Sequence, residues 1–142
     1  MHALIIEDEP MIAMGIEDIL RECGFTSFDL ASSPGEALNS VSRLCPDLIT
    51  SDVQLNPGNG IETVLRICSA TPIPVIFITG NVADVTQRLP EVTTITKPFT
   101  ETNLRQAVVR AMINHPDTTV LVLNEEITRA KELKDDTAGG AG

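Results

Sequence analysis

"LIIEDEP", residues 4–10, sends an apolar run, Leu4-Ile5-Ile6, straight into three consecutive acids, Glu7, Asp8 and Glu9. Adjacent carboxylates repel one another, so gathering them at the end of a buried-looking strand calls for a compensating cation. Beyond Pro10, the residues Ile12, Ile16, Ile19, Leu20 and Cys23 recur at helical spacing and stop at Gly24, a residue suited to closing a helix. A strand, an acidic turn and a helix thus follow one another within the first two dozen residues.

The alternation continues. Apolar runs at ALII (3–6), FDLA (28–31), DLITS (47–51), VIFIT (75–79) and TTIT (93–96) read as buried strands. Ser33-Pro34-Gly35-Glu36 combines an N-cap, a proline at the first helical position and a glutamate two residues later, the elements of a capping box. A third helix carries Ile61, Val64, Leu65 and Cys68. The piece from Val82 to Leu89 allows barely two turns, and Thr100 caps a last helix with Leu104, Val108, Ala111 and Met112 on one face. Five strands alternating with five helices predict an α/β fold, a (βα)5 doubly wound parallel sheet with helices on both faces, because parallel neighbours need crossover connections.

The bulk composition narrows the function. The 142 residues fit one domain with a core large enough to need no disulfide or metal staple. Twenty acids against ten bases give a formal charge of -10, a field that disfavours nucleic acid and anionic membrane surfaces. No apolar stretch is long enough to span a bilayer and no signal-peptide pattern opens the chain, so a cytoplasmic protein is expected. Cys23, Cys45 and Cys68 are odd in number and widely spaced, and read as small buried residues. His2 and His115 read as solvated or locally capping side chains rather than metal ligands.

In an open parallel sheet the ligand lies beyond the carboxyl ends of the strands, where strand order reverses. Those ends carry Glu7-Asp8-Glu9, Asp52, Thr79-Gly80 and Lys97-Pro98. Clustered carboxylates favour a hard cation, and Mg2+ suits them because it takes one or two carboxylates, keeps waters and leaves room for phosphoryl oxygens. Thr79 supplies a hydroxyl donor and Lys97 a compact positive charge. Lys97 is the only lysine in the first 115 residues.

Taken in order, "IIEDEP", "LITSDVQL", "VIFITGN" and "ITKPF" resemble the signature blocks of the receiver domain of two-component response regulators, over about residues 3 to 114. The resemblance implies a flavodoxin-like sheet of order 2-1-3-4-5, a receiver domain over 1–115 and a C-terminal extension over 116–142. It implies that Asp52 accepts a phosphoryl group from a histidine kinase or histidine phosphotransfer protein. Asp8 and Asp52, the backbone carbonyl of Gln54, and Glu7 through water would hold Mg2+. Thr79 would be the switch hydroxyl and Lys97 its charge partner, followed by Pro98, usually cis in the family. Such a protein catalyses only its own phosphorylation and dephosphorylation. Output would pass by contact with a downstream protein effector, or by relay to another histidine, through the surface of the fourth helix, fifth strand and fifth helix.

Departures matter here. Many receivers place Tyr or Phe three residues before the lysine, where this chain has Thr94, so an aromatic rotamer switch at that position is excluded and the signal would travel by backbone rearrangement around Thr79 to Pro90, by Thr94 itself as a switch residue, or by a change of order. Pro74, Phe77, Thr79 and Gly80 match part of the block of the FAT GUY receivers, whose partners include kinases of the HWE or HisKA-2 type, some in general stress signalling; Val75 and Ile78 do not match. In "DVQLNPGNG", Pro57 stands five residues after Asp52 instead of the commoner four, while Gly60 keeps its place. Gln54 and Asn81 occupy positions that tune the phosphoryl lifetime in the family.

Two rival readings remain at this level. A haloacid-dehalogenase phosphatase also places a nucleophilic Asp after a strand, but pairs it with an acid where this chain has Gln54. A degenerate receiver would bind partners without being phosphorylated. The extension reads as a strand or turn at "TTVLVLN", a short polar helix at "EEITRAKELK" and a frayed end at "DDTAGGAG", too little for a DNA-binding module.

Overall fold

A computed structural model describes residues 1–113 of the chain. The extension features expected from residue 116 onward, and His115, lie outside the described residues.

Each apolar run becomes a parallel strand: β1 (His2–Ile6), β2 (Ser27–Ala31), β3 (Leu48–Ser51), β4 (Val75–Thr79) and β5 (Thr93–Thr96). Between and after them lie α1 (Pro10–Glu22), α2 (Pro34–Arg43), α3 (Gly60–Cys68), α4 (Val82–Arg88) and α5 (Glu101–Ile113). The sheet order is β2-β1-β3-β4-β5, as the family resemblance implies. Strand alternation divides the interior. Leu4, Ile6, Ile49 and Phe77 pack with Ala37, Ile61, Val64 and Val85 from α2, α3 and α4. Ala3, Ile5, Leu48 and Ile76 face the other way, onto Ile16 and Leu20 of α1 and Leu104 and Ala107 of α5. Full burial of each such aliphatic side chain contributes about 1.5–3 kcal/mol, which is why runs apolar on both faces settle in a doubly covered sheet.

Local signals decide the ends. Phe25 N–H bonds the Leu20 carbonyl and Gly24 N–H the Arg21 carbonyl, closing α1 with Gly24 at φ +101, the left-handed conformation glycine adopts without strain. Ser33 Oγ accepts from Glu36 N–H at 3.3 Å, as expected. The reciprocal half differs: the Glu36 carboxylate reaches the N–H and hydroxyl of Ser32, one residue before the cap. The extended Ser33 backbone carries the Ser32 groups into that carboxylate's reach. Thr100 Oγ1 caps α5 by accepting from Asn103 N–H, and α4 is indeed short.

Two expectations are corrected. His2 is buried, not solvated: it opens the second strand of the sheet, where its register partner is Ser27, and its ring meets Ser27 Oγ at 2.7 Å and Asp29 Oδ2 at 3.0 Å. Of the cysteines only Cys68 is buried; Cys23 is half-buried and Cys45, in the turn before β3, is exposed. Among the described residues no helix is long and apolar enough to cross a membrane.

Gly60, at the start of α3, couples this framework to the strand ends. A Cβ there would lie 1.7 Å from the Asp52 carbonyl oxygen and 2.6 Å from Ser51 Oγ. Because the nearest obstacle is backbone, Gly60→Ala should destabilise the fold by about 3 kcal/mol, read as a lowered urea midpoint at unchanged slope; an unchanged midpoint would mean that α3 can withdraw from Asp52 freely.

Candidate functional site

Backbone pairing carries on one residue beyond the strands and sets the site. Ile6 is in register with Ser51, and Asp52 N–H bonds the Ile6 carbonyl at 3.0 Å, so Glu7 and Asp52 emerge side by side. Thr79 is in register with Thr96, and Lys97 N–H bonds the Thr79 carbonyl at 2.9 Å. The split between β1 and β3, from which chain direction winds both ways, lies at this rim. A cleft of about 480 Å³ opens here, lined by Asp8, Asp52, Gln54, Thr79, Asn81 and Lys97 together with neighbouring loop residues.

Ligand oxygens of Glu7, Asp8 and Asp52 lie within 4.8 Å of one another. Lys97 Nζ bridges two of these acids, at 2.5 Å from Glu7 Oε1 and 3.0 Å from Asp52 Oδ2. The second Glu7 oxygen accepts from Glu9 N–H at 3.3 Å, so both of its oxygens are engaged. Asp8 Oδ2 accepts from Asn56 N–H at 3.2 Å. Thr79 is buried, and its Oγ1 accepts from Asn81 N–H at 3.1 Å.

Burial pushes the Glu7 carboxyl above the usual carboxylate range, with the Lys97 ammonium pulling back against it. Burial also works against the charged form of Lys97, but the hydrogen bonds and fields of Glu7 and Asp52 outweigh it and raise its pKa. One lysine facing three acids leaves the site net negative. The donors are all oxygen, which fits a hard divalent cation such as Mg2+ and not a thiolate- or imidazole-seeking metal.

The structure gathers Glu7, Asp8, Asp52, Gln54, Thr79 and Lys97 at this rim. Thr94 lies apart, within β5 and in register with Phe77, its hydroxyl donating to the Val92 carbonyl at 3.2 Å. The Lys97-Pro98 peptide is cis. Sequence reasoning missed the direct Glu7–Lys97 pair and the two backbone donors, Asn56 to Asp8 and Asn81 to Thr79. The ion pair joins residues 90 apart in the chain, and a backbone N–H leaves no mark in the residue type that carries it.

The family model described as the response regulator receiver domain matches residues 3–109. The phyllosphere-induced regulator PhyR of Methylorubrum extorquens is 35% identical over 113 residues, 77% of this chain and 42% of that protein. A protein-glutamate methylesterase/protein-glutamine glutaminase of Hahella chejuensis is 33% identical over 81 residues, 57% of this chain but 23% of that protein. The chain spans less than half the length of these curated relatives. Among solved structures, the receiver domain of the Erythrobacter litoralis PhyR response regulator superposes with a TM-score of 0.70 at 33% identity, covering 80% of this chain and 90% of that one. The PhyR stress response regulator gives 0.72 at 42% identity, covering 81% and 46%. With the fold, the strand-end residues and the matched span in agreement, this chain belongs to the receiver-domain family of response regulators.

Proposed function

We propose that the chain is a cytoplasmic phosphorylation switch whose phosphoacceptor is Asp52. The observation that carries this reading is the Lys97 ammonium 3.0 Å from Asp52 Oδ2, in a cleft shared with Thr79 and Asp8 and with a carboxylate oxygen of buried Glu7 within 4.8 Å of those of Asp8 and Asp52. Phosphoryl transfer asks a protein mainly for positioning and charge neutralisation. The Asp52 carboxylate oxygen that Lys97 leaves open attacks phosphorus as the bond from phosphorus to the donor's histidine nitrogen breaks. Lys97 offsets the charge that arrives, and the Thr79 O–H donates to a phosphoryl oxygen. Asp8, Asp52 and the Gln54 carbonyl would hold Mg2+, with Glu7 contacting it through water because both Glu7 oxygens are already engaged. When bound, that ion neutralises phosphoryl charge. Gln54 lines the cleft as a neutral amide where a phosphatase of the rival class would need an acid.

The donor in this reading is a histidine kinase or phosphotransfer protein, with the HWE and HisKA-2 types suggested by the partial FAT GUY match. One of the PhyR relatives is a stress response regulator, and stress signalling is the setting this suggests. Met11 and Met14, 86% and 61% exposed, sit on α1 just beyond the cleft residue Glu9 and offer an apolar contact for the donor. Output leaves through α4, β5 and α5 to a protein effector or a further histidine.

Incubation with Mg2+ and acetyl phosphate should add one phosphoryl mass to the wild type and none to Asp52→Asn, by intact mass; absence of an adduct on both, with Mg2+ binding intact, would favour the non-phosphorylated receiver. The raised Glu7 pKa sets a pH dependence. Below it Glu7 carries a proton and the site is less negative, so Mg2+ affinity should climb as pH rises above about 4.5 and level off beyond the raised Glu7 value. Titrations upward from about pH 4.5 should show this climb in the wild type and a flatter line in Glu7→Gln. Met14→Glu should slow transfer from a histidine-phosphorylated protein about tenfold while leaving acetyl phosphate loading unchanged; equal slowing of both would place Met14 outside donor contact.

A further inference from the structure

The loop between β3 and α3, where the proline placement departs from the family pattern, folds as a small antiparallel ribbon. Gly60 N–H donates to the Val53 carbonyl at 2.7 Å, Gln54 bridges to Asn59, and Leu55 N–H donates to the Gly58 carbonyl at 3.2 Å. Leu55 anchors the ribbon in the core. Gly58 opens the returning arm at φ +111, where a Cβ would stand 2.5 Å from Cγ and 2.9 Å from Cδ of Pro34, the first residue of α2. At the tip between Leu55 and Gly58, Asn56 turns its N–H onto Asp8 Oδ2 at 3.2 Å, across 48 residues of sequence.

We infer that this ribbon is a clamp that positions Asp8 for its divalent cation, and that the seat of Gly58 against Pro34 sets the clamp. The identity of the cation rests on the proposed function; the clamp rests on the loop geometry. Asp8 lies half-buried in the turn between β1 and α1. Asn56 N–H is its sole hydrogen-bond partner among the described residues. Engaging Oδ2 fixes the carboxylate and leaves Oδ1 for a ligand. Mg2+ demands near-ideal octahedral geometry, whereas Ca2+ accepts irregular sites, so a carboxylate set loose by a few tenths of an ångström penalises Mg2+ selectively. Gly58 and Pro34 are therefore positioning residues that act through Asn56, and neither touches the cation.

The test is Mg2+ and Ca2+ titration of the full chain, followed by calorimetry and by amide signals around Asp8, for wild type, Gly58→Ala and Pro34→Ala. Gly58→Ala forces a Cβ into Pro34 at a backbone angle it resists; Pro34→Ala removes the ring atoms that stop the loop without straining Gly58. Both should weaken Mg2+ about tenfold and Ca2+ by less than about threefold. Should Gly58→Ala fail to fold, Pro34→Ala decides alone. Unchanged Mg2+ affinity in the folded variants, or equal losses for the two ions, would overturn the clamp. Acetyl phosphate loading of the wild type separates the two ideas: a wild type that loads, beside variants that bind Mg2+ normally, defeats the clamp and leaves the switch standing.

Discussion

The Lys97 ammonium, held between Glu7 and Asp52, is the interaction on which the site depends. It leaves the end of β5, passes over the end of β4 and closes on residues that follow β1 and β3. Each contact is worth about 5 kcal/mol of gross attraction at the effective dielectric of a protein site, before the cost of desolvating both charges. Removing the lysine would leave a buried Glu7 facing Asp52 and Asp8 with no cation among the described side chains at the rim. The same geometry makes the lysine available for another task. A phosphoryl group on Asp52 brings new oxygens to a cation already in place, so charge can be neutralised by exchange of partners with little movement.

That placement is a product of register. Three strands, β1, β3 and β5, deliver their next residue to one rim because each parallel ladder runs one hydrogen bond past its apolar run: Glu7 to Ala31, Asp52 to Ile6, Lys97 to Thr79. The core therefore does more than stabilise. Slippage of one strand by a single residue would turn its apolar set to the wrong layer and carry its functional residue off the rim at the same time. Gly60 adds a steric condition, since only a residue without a side chain lets α3 approach the Asp52 carbonyl.

Most of this was legible in the sequence because the signals are local. Runs such as "LII" and "VIFIT" are apolar on both faces, Ser33-Pro34 and Thr100 mark helix starts, and strand ends are where an open sheet binds ligands. Glu7, Asp8, Asp52, Thr79 and Lys97 followed from that rule alone. The misses are non-local. His2 is buried because pairing with β2 brings Ser27 and Asp29 to its ring, which its own neighbours do not foretell. Cys45 is exposed because it sits in a turn, against the habit of its residue type. The loop after Asp52 was visible as a departure in proline spacing, but its hydrogen bond to Asp8 depends on how the ribbon is seated.

Core packing also constrains how a signal leaves the site. Thr94 lies opposite Phe77, and Phe77 is locked in the core with Val85 of α4 and Leu89 just after it, so neither residue offers an aromatic free to turn. The path with least resistance runs through α4. It has seven residues, and its N-cap Asn81 makes no side-chain cap; the amide donates instead to Asp84 at 3.0 Å. Asn59, in the same position before α3, accepts from Glu62 N–H and caps its helix. A short helix without that cap is cheap to reorganise. Its N-cap residue is also tied to the site, because Asn81 N–H rests on the Thr79 hydroxyl. Under the proposed reading, drawing that hydroxyl toward a phosphoryl oxygen withdraws the acceptor from Asn81, and the element least able to hold its shape is the one that responds.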